Sequence, residues 1–155
     1  MTTPPAIATT PCIGICSSGI GDSVCRGCLR FAHEVQGWNG FSASERRLVL
    51  ARLDGFLAQV LAIRVELFDV GQLAAALDAR GIPRDPARDP HRWLYDLLRH
   101  SGRDLPEACG FRVRPEQGGP PSPVALCRLV ERDWHALSVA HYERYVEPGL
   151  RLASI

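Results

Sequence analysis

Four cysteines near the start of the chain are the residues most suited to chemistry, and they come as two close pairs. Three residues separate Cys12 from Cys16, and two residues separate Cys25 from Cys28. Thiolates are soft donors, so a set of four favours Zn²⁺ or an iron–sulfur cluster over hard cations. Because the short C-x2-C turn points both of its sulfurs the same way, these two can share one metal atom. The pattern therefore predicts a single metal site with four sulfur ligands.

The spacing does not identify the metal. The gap between the two pairs is shorter than in usual zinc ribbons, and the chain lacks the C-x2-C-x2-C run of bacterial ferredoxins. Four thiolates leave a net charge of about −2 around Zn²⁺ and around an oxidised four-iron cluster alike. An iron–sulfur cluster and Zn are therefore equally open as the cofactor, and His33 is close enough to replace one ligand. Buried reduced thiols or disulfides are the interpretation without a metal.

Two neighbouring arginines can offset the negative charge of such a site. Arg26 lies inside the second cysteine pair, and Arg30 follows that pair by two residues. Apolar neighbours can screen the sulfurs from water, which matters for the reduction potential of a cluster. These neighbours are Ile13, Ile15, Val24, Leu29, Phe31 and Trp38.

The composition narrows the function classes. A length of 155 residues predicts one core with a small appended module. A net charge of +1 argues against long-range attraction to nucleic acid or to a membrane surface. All basic residues are arginine, which excludes a Schiff-base lysine. Since no segment has the pattern of a signal peptide or a membrane-spanning helix, a cytoplasmic location is expected, where close cysteine pairs more often bind metal than form disulfides.

The fold class that the sequence predicts is mainly α, a small cysteine-rich metal-binding loop module followed by about four helices. Residues 1–10 are rich in Thr, Pro and Ala and are predicted to be a disordered tail. Residues 11–54 are predicted to form the four-cysteine module with one helix. Residues 55–155 are predicted to form a helical region of unknown role.

The first long helix is predicted from its start signal. The pattern Ser42-x-x-Glu45 is a capping box, and the helix after it is expected to run from Ala43 to about Leu67, unless Gly55 breaks it. The alternation from Ile63 to Leu67 would also fit a short strand. The inward face of the helix is predicted to carry Val49, Leu53, Phe56, Val60, Ile63 and Leu67, flanked by Leu50, Leu57 and Leu61.

Three further helices follow from similar signals. They are predicted to cover Val70 to Arg80, the stretch between Asp89 and Gly102, and Pro123 to about Val146. Asp69 and Asp89 are the expected N-terminal caps, and Pro148-Gly149 is expected to stop the last helix. The sequence Phe111-Arg112-Val113 is at most one short strand. The inward face of the middle helix is predicted to be Trp93, Leu94, Leu97 and Leu98.

The remaining cysteines and histidines do not suggest a second site. Cys109 is isolated from any base or nucleophile pattern. Cys127 and His141 share one face of the last helix but lie about 21 Å apart along it, so they cannot pair. We interpret Cys127 as part of an apolar seam and the histidines as solvated or capping residues.

The N-terminal segment resembles the bacterial domain of unknown function family 1289, over roughly Thr10 to Asp54. The resemblance rests on Pro11-Cys12-Ile13-Gly14-Ile15-Cys16, Cys25-Arg26-Gly27-Cys28, Trp38 and Ser42-x-x-Glu45-Arg46-Arg47-x-x-Leu50-x-x-Leu53, in that order. Members of that family are short cytoplasmic proteins, often labelled predicted iron–sulfur proteins because of these cysteines. The resemblance implies that Cys12, Cys16, Cys25 and Cys28 are the metal ligands, and it implies no settled activity.

The function expected from the sequence is that of a non-catalytic metal-site protein. Its site would have a structural, electron-transfer or redox-sensing role, and its helical segment would bind a protein partner. One alternative is a thiol–disulfide oxidoreductase that uses Cys25 and Cys28, although no thioredoxin-like pattern surrounds the pair. Another is a zinc module that binds nucleic acid, which the near-neutral charge makes unexpected.

Overall fold

The fold is mainly α, as the sequence predicts. The structure is a computed structural model that describes residues 11–13, 16–102, 105 and 108–153. The helices are α1 (Ala32–Gly37), α2 (Ala43–Arg64), α3 (Val70–Ala79), α4 (Pro90–Ser101), α5 (Pro123–His141) and α6 (Glu147–Ala153). The strands are β1 (Val65–Leu67) and β2 (Phe111–Val113). Short 3-10 turns cover Ser18–Ile20 and Trp38–Gly40, and a π-helical turn, Tyr142–Val146, joins α5 to α6. In the described part of the chain, no helix has the length and apolar character needed to span a membrane.

The chain divides into two compact units. The first comprises the described residues of Met1–Leu53 and Trp134–Ile155, and the second is Asp54–Asp133 with its described residues. Both α2 and α5 contribute residues to each unit. The cysteine segment therefore shares a unit with the last part of the chain, which the sequence assigned to the helical region. The predicted tail over residues 1–10 lies outside the described residues.

The start of α2 confirms the predicted capping box. The amide of Glu45 donates to Ser42 Oγ at 3.1 Å, and the amide of Ser42 donates to Glu45 Oε1 at 3.2 Å. The helix continues through Gly55 without a break and ends at Arg64. The expected extension to Leu67 is wrong, because the next three residues form β1 and pair antiparallel with β2. The strand alternative is the correct one.

The buried face of α2 differs from the predicted one at its end. The buried apolar residues are Val49, Leu50, Leu53, Leu57, Val60 and Leu61. Ile63 was predicted to face inward, but it is 74% exposed. The face is centred on Leu57, and Ile63 lies about 120° from Leu57 on a wheel of 3.6 residues per turn. The predicted inward face of α2 was therefore rotated toward Ile63, away from the observed centre at Leu57.

The caps of α3 and α4 are the predicted aspartates. Asp69 Oδ1 accepts from the amide of Gln72 at 3.0 Å, and Asp89 Oδ1 accepts from the amide of His91 at 2.8 Å. Gly102 follows the end of α4 with φ of 59°. The predicted inward face of α4 is buried at all four positions, Trp93, Leu94, Leu97 and Leu98. In this region, local signals were enough to predict the elements.

The end of the last helix was predicted wrongly. Ser122 caps α5, since Ser122 Oγ accepts from the amide of Ala125 at 3.2 Å. The chain does not leave the helical conformation at Pro148 but continues through the π-helical turn into α6. Pro148 is the second residue of α6 and does not end the helical conformation. Proline is tolerated within the first turn of a helix.

Candidate metal centre

The second cysteine pair lies in a tight hairpin. The amide of Cys25 donates to the carbonyl of Arg30, and the amide of Leu29 donates to the carbonyl of Cys25, both at 2.9 Å. An antiparallel bridge between Val24 and Phe31 closes the base of the hairpin. The geometry holds the two cysteines on one short loop, as the C-x2-C spacing predicts.

The backbone of Leu29, directly after Cys28, is strained. Leu29 has φ of 63°, which is the left-handed region that side chains with a Cβ avoid at a cost of about 1–2 kcal/mol. It is nevertheless buried, with 3% of its surface exposed. Strained backbone of this kind persists only where its surroundings enforce it, and it is common at functional sites. Here the strain lets the chain reverse direction immediately after the second sulfur.

Cys25 is fully buried. The causes that lower the pKa of its thiol are hydrogen bonds from the backbone of Cys28, Ser17 and Gly27. Burial alone raises the pKa of the thiol, but these donors and a hydrogen bond from the Cys28 thiol outweigh burial and lower the pKa of Cys25 to about 7. The hairpin therefore stabilises a thiolate in a position closed to water.

The pKa of Cys28 shifts in the opposite direction to that of Cys25. Burial raises the pKa of the Cys28 thiol, and Arg30 opposes that effect. Arg30 Nε donates to Cys28 Sγ at 3.2 Å. Arg30 is itself buried, at 3% exposed, and its Cζ lies 4.8 Å from the centroid of the Trp38 ring. A cation therefore contacts one sulfur of the pair from inside the protein.

Ser17 connects the first cysteine pair to this hairpin. Ser17 Oγ accepts a hydrogen bond from the amide of Arg26, inside the second pair, at 2.8 Å. Because Cys16 directly precedes Ser17, this bond fastens the arm that carries Cys16 to the hairpin. Cys12 and Cys16 are exposed, and Cys16 Sγ lies 3.0 Å from Ser18 Oγ.

The predicted ligands lie in two settings. Cys25 and Cys28 are buried next to each other in the hairpin, Cys12 and Cys16 are exposed, and none of the six cysteines forms a disulfide. In the described ranges, no group of three or more His, Cys, Asp or Glu side chains is placed to hold a metal ion. The donor chemistry of the hairpin fits a thiophilic ion or cluster. The ring of His33 stacks near Phe31 at 6.0 Å between centroids.

Helix α1 and a buried ion pair hold the base of the hairpin. Glu34 Oε1 accepts from the amide of Phe31 at 2.8 Å. Arg52, on α2, donates to both carboxylate oxygens of Glu34 at 2.6 Å, and its Cζ lies 3.9 Å from the Phe31 ring centroid. The rings of Tyr142 and His141 lie 5.2 and 6.3 Å from the Phe31 ring. Within the first unit, Phe31 therefore links the hairpin, α2 and the C-terminal stretch.

Comparison with protein-family models gives a match over the segment that carries the four cysteines. Residues 10–56 match the model of the family described as Protein of unknown function (DUF1289). The matched segment contains all four cysteines of the candidate site, α1 and α2 as far as Phe56. The resemblance noted in the sequence is thus confirmed for this segment, which is less than a third of the chain. Neither the curated proteins nor the solved structures give a match.

The isolated cysteines lie in the second unit. Cys109 is buried, and burial raises the pKa of its thiol. Burial and the nearby carboxylate of Glu131 raise the pKa of Cys127 to about 12. Glu131 Oε1 also accepts from the hydroxyl of Tyr95 at 2.9 Å. The raised pKa makes each of these thiols a poor nucleophile at neutral pH.

Proposed function

We propose that this is a metal-site protein in which Cys12, Cys16, Cys25 and Cys28 hold an iron–sulfur cluster or a zinc ion. The observation that carries the proposal is the buried Cys25 and Cys28 pair, in which Arg30 Nε donates to Cys28 Sγ at 3.2 Å and the surrounding backbone lowers the pKa of Cys25 to about 7. Hydrogen-bond donors around a sulfur are the usual outer shell of a thiolate ligand, where they orient it and adjust its charge. Zinc would supply folding free energy, whereas an iron–sulfur cluster would accept and release an electron.

The connection through Ser17 supports a site with four ligands. Cys16 precedes Ser17, whose hydroxyl oxygen accepts from the amide of Arg26, so a short adjustment of the chain brings Cys16 toward the hairpin pair. Cys12 is four residues further along the same arm. The exposed cysteines can move toward an ion without unpacking a core, while the buried pair already has its hydrogen bonds. In this proposal, Cys25 and Cys28 receive the ion first and Cys16 and Cys12 then close on it.

A thiol–disulfide oxidoreductase is the second candidate, and one observation favours it. The pKa of Cys25 is lowered while that of Cys28 is raised, which is the division of roles that an attacking and a resolving thiol need. The burial of Cys25, at 0% exposed, argues against it because an attacking sulfur must reach its substrate. An insulin-reduction assay separates the two: the metal-site proposal expects no activity above that of free dithiothreitol.

The cellular setting belongs to the same proposal. We place the protein in the cytoplasm, where thiols stay reduced and can bind metal. A protein partner that binds the helical region, residues 55–155, would receive the signal or electron from the site. Nucleic acid is not the proposed partner, because the net charge is only +1.

The test is anaerobic purification followed by an absorption spectrum and elemental analysis. Iron with sulfide and a broad band near roughly 400 nm identify a cluster, and a colourless protein with one zinc per chain identifies a zinc site. The variants Cys16→Ser and Cys25→Ser should lose the metal, whereas the control Cys109→Ala should keep it. A wild-type protein with neither metal, or full metal content in Cys25→Ser, contradicts the proposal.

A further inference from the structure

Arg30 is a buried cation in direct contact with a predicted ligand. Its side chain is enclosed at 3% exposure, and its Nε lies 3.2 Å from Cys28 Sγ. Removing a guanidinium from water is costly unless negative charge or hydrogen-bond acceptors compensate for it. A sulfur that becomes a thiolate when it binds a metal provides such compensation at the point of contact.

The position of Arg30 is fixed by its surroundings within the first unit. Its guanidinium lies against the Trp38 ring, with 4.8 Å between Cζ and the ring centroid. Arg46 bonds to the backbone of Trp38: its Nε and Nη2 atoms donate to the Trp38 carbonyl at 3.1 and 2.9 Å. Trp38 is 3% exposed, so this support is part of the packed interior. The cation is therefore in place whether or not an ion is bound.

Arg26, the other arginine beside the cysteines, is in a different environment. Its side chain is 69% exposed, and its Nε bonds to Asp22 Oδ2 at 3.2 Å. Water and the aspartate screen its charge, so its effect on a buried sulfur is weak. The sequence indicated both arginines as charge partners of the cysteines. Of the two, Arg30 is the one that is buried against a cysteine sulfur, and Arg26 is exposed.

We propose that Arg30 is a positioning and charge-compensating residue of the cysteine site, and that it sets the affinity of the site for its metal. This inference rests on the proposed function. When a metal binds, Cys28 forms a bond to it through sulfur, the thiol proton leaves to water, and Arg30 keeps its own proton. The Nε–H···S hydrogen bond then joins a cation to a thiolate and is stronger than the same bond to a thiol. For a cluster, the same buried cation favours the more negative, reduced state and raises the reduction potential.

The experiment uses Co²⁺ as a coloured probe for thiolate coordination, added to the full-length, metal-free, reduced protein. We compare the wild type with Arg30→Met, Arg30→Lys and the control Arg26→Met. Loss of an outer-shell partner commonly weakens metal binding about 10- to 100-fold, and this is the expected effect of Arg30→Met. Arg30→Lys should recover part of the affinity because it keeps the charge, and Arg26→Met should stay within about twofold of the wild type.

A second destabilised variant distinguishes this role from a purely structural one. In the metal-free protein, Arg30→Met loses the bond from Nε to Cys28 Sγ and the contact with the Trp38 ring, so it should unfold at a lower urea concentration than the wild type. Val49→Ala removes buried methyl groups from α2, outside the cysteine hairpin, and should also lower the metal-free stability. Co²⁺ affinity should fall in Arg30→Met and stay within about twofold of the wild type in Val49→Ala, and an equal fall in both variants would show a structural residue and overturn the inference.

The remaining outcomes separate this inference from the proposed function. Equal Co²⁺ affinity in the wild type and Arg30→Met, or no Co²⁺–thiolate band in the wild type, overturns the inference. The proposed function is judged independently, by the iron, sulfide and zinc content of the protein as purified.

Discussion

Ser17 and Arg26 are joined by a hydrogen bond, in which the backbone amide of the arginine donates to Ser17 Oγ at 2.8 Å. Ser17 directly follows Cys16, and Arg26 lies between Cys25 and Cys28. The bond therefore connects the arm that carries Cys16 to the hairpin that carries Cys25. Hydrogen bonding by the Ser17 backbone is also one of the causes that lower the pKa of Cys25.

Replacing Ser17 should weaken that link. In Ser17→Ala the amide of Arg26 loses its acceptor near a buried position, which costs about 1–3 kcal/mol of unfolding free energy. Urea unfolding of the metal-free protein measures the loss. The control Ser44→Ala, at an exposed position in the first turn of α2, should change stability by less than about 0.5 kcal/mol. Equal stability of the two variants would show that the serine hydroxyl does not hold the arm.

Removing only one partner of the buried Arg52–Glu34 ion pair should lower the unfolding free energy strongly. Arg52→Met leaves the Glu34 carboxylate enclosed at 5% exposure without its guanidinium partner, which should cost about 3–5 kcal/mol. The comparison variant is Arg151→Met, which removes a pair whose arginine is 77% exposed. Exposed pairs contribute less than about 1 kcal/mol, so its unfolding curve should nearly overlay that of the wild type. Similar losses in both variants would contradict the predicted role of burial.

Gly110 should tolerate no side chain. Its φ is 80°, and a Cβ there would collide with the carbonyl oxygen of Asp69. That approach is required because the Gly110 carbonyl accepts from the amides of Phe68 and Asp69 at 2.9 and 3.0 Å. Gly110→Ala should cost about 3 kcal/mol or more, combining backbone strain with the collision.

The matched control for that prediction is Gly118→Ala. Gly118 has a similar φ of 92° but nothing within 4 Å of the added Cβ. It should lose only the left-handed strain, about 1–2 kcal/mol. If chemical denaturation gives both variants the same loss, the close approach to Asp69 does not contribute.

Stability should fall at alkaline pH because of Cys127. Burial and Glu131 raise the pKa of this thiol from 9.0 to about 12 in the folded protein. The unfolded chain loses the proton first, so the stabilisation is complete below pH 9 and is lost as pH rises toward 12. The slope should reach about 1.4 kcal/mol per pH unit for this one group. When unfolding free energies are measured at several pH values, the fall of free energy per pH unit should be smaller in Cys127→Ala than in the wild type.

The control is Val130→Ala, at a buried position on the same helix. It should lower the unfolding free energy without changing how steeply that free energy falls with pH.

Thiol reactivity should report both burial and metal binding. In the metal-free protein, iodoacetamide should modify the exposed Cys12 and Cys16 first. Cys25 and Cys28 are buried and should react only as fast as the structure opens. Mass spectrometry of peptides after timed quenching gives the order. Added Zn²⁺ should protect Cys12 and Cys16, and unchanged rates at these positions with bound zinc would exclude them as ligands.

Elements with local start and stop signals were predictable from the sequence. The Ser42 and Glu45 capping box, and the aspartates before α3 and α4, act through bonds within three residues. The strand β1 was only an alternative, because its pairing with β2 is more than forty residues distant along the chain. Local composition cannot choose between helix and strand when the deciding hydrogen bonds are that remote.

The geometry of the candidate site was less predictable than its residues. The four cysteines, Arg26 and Arg30 all follow from spacing, yet nothing in the sequence ranks one arginine above the other. The ranking depends on Trp38, which lies on a 3-10 turn that had no recognisable signal. The positive φ of Leu29 was equally unpredictable, since this backbone conformation is usually adopted by glycine or asparagine. Helix α1, six residues long, is too short to show a helical period.

The contact of Phe31 with Tyr142 and His141 has a consequence for synthesis on the ribosome. The cysteine hairpin is made early, but the residues that cover its base ring come from a stretch more than one hundred positions later. Nascent chains fold progressively from the N-terminal end, at about 5–20 residues per second. The four thiols are therefore made several seconds before the residues that complete their own unit. Until Tyr142 and His141 arrive, the ring at the base of the hairpin lacks its cover, and the cysteines beside it are more open to water and oxidants than in the completed unit.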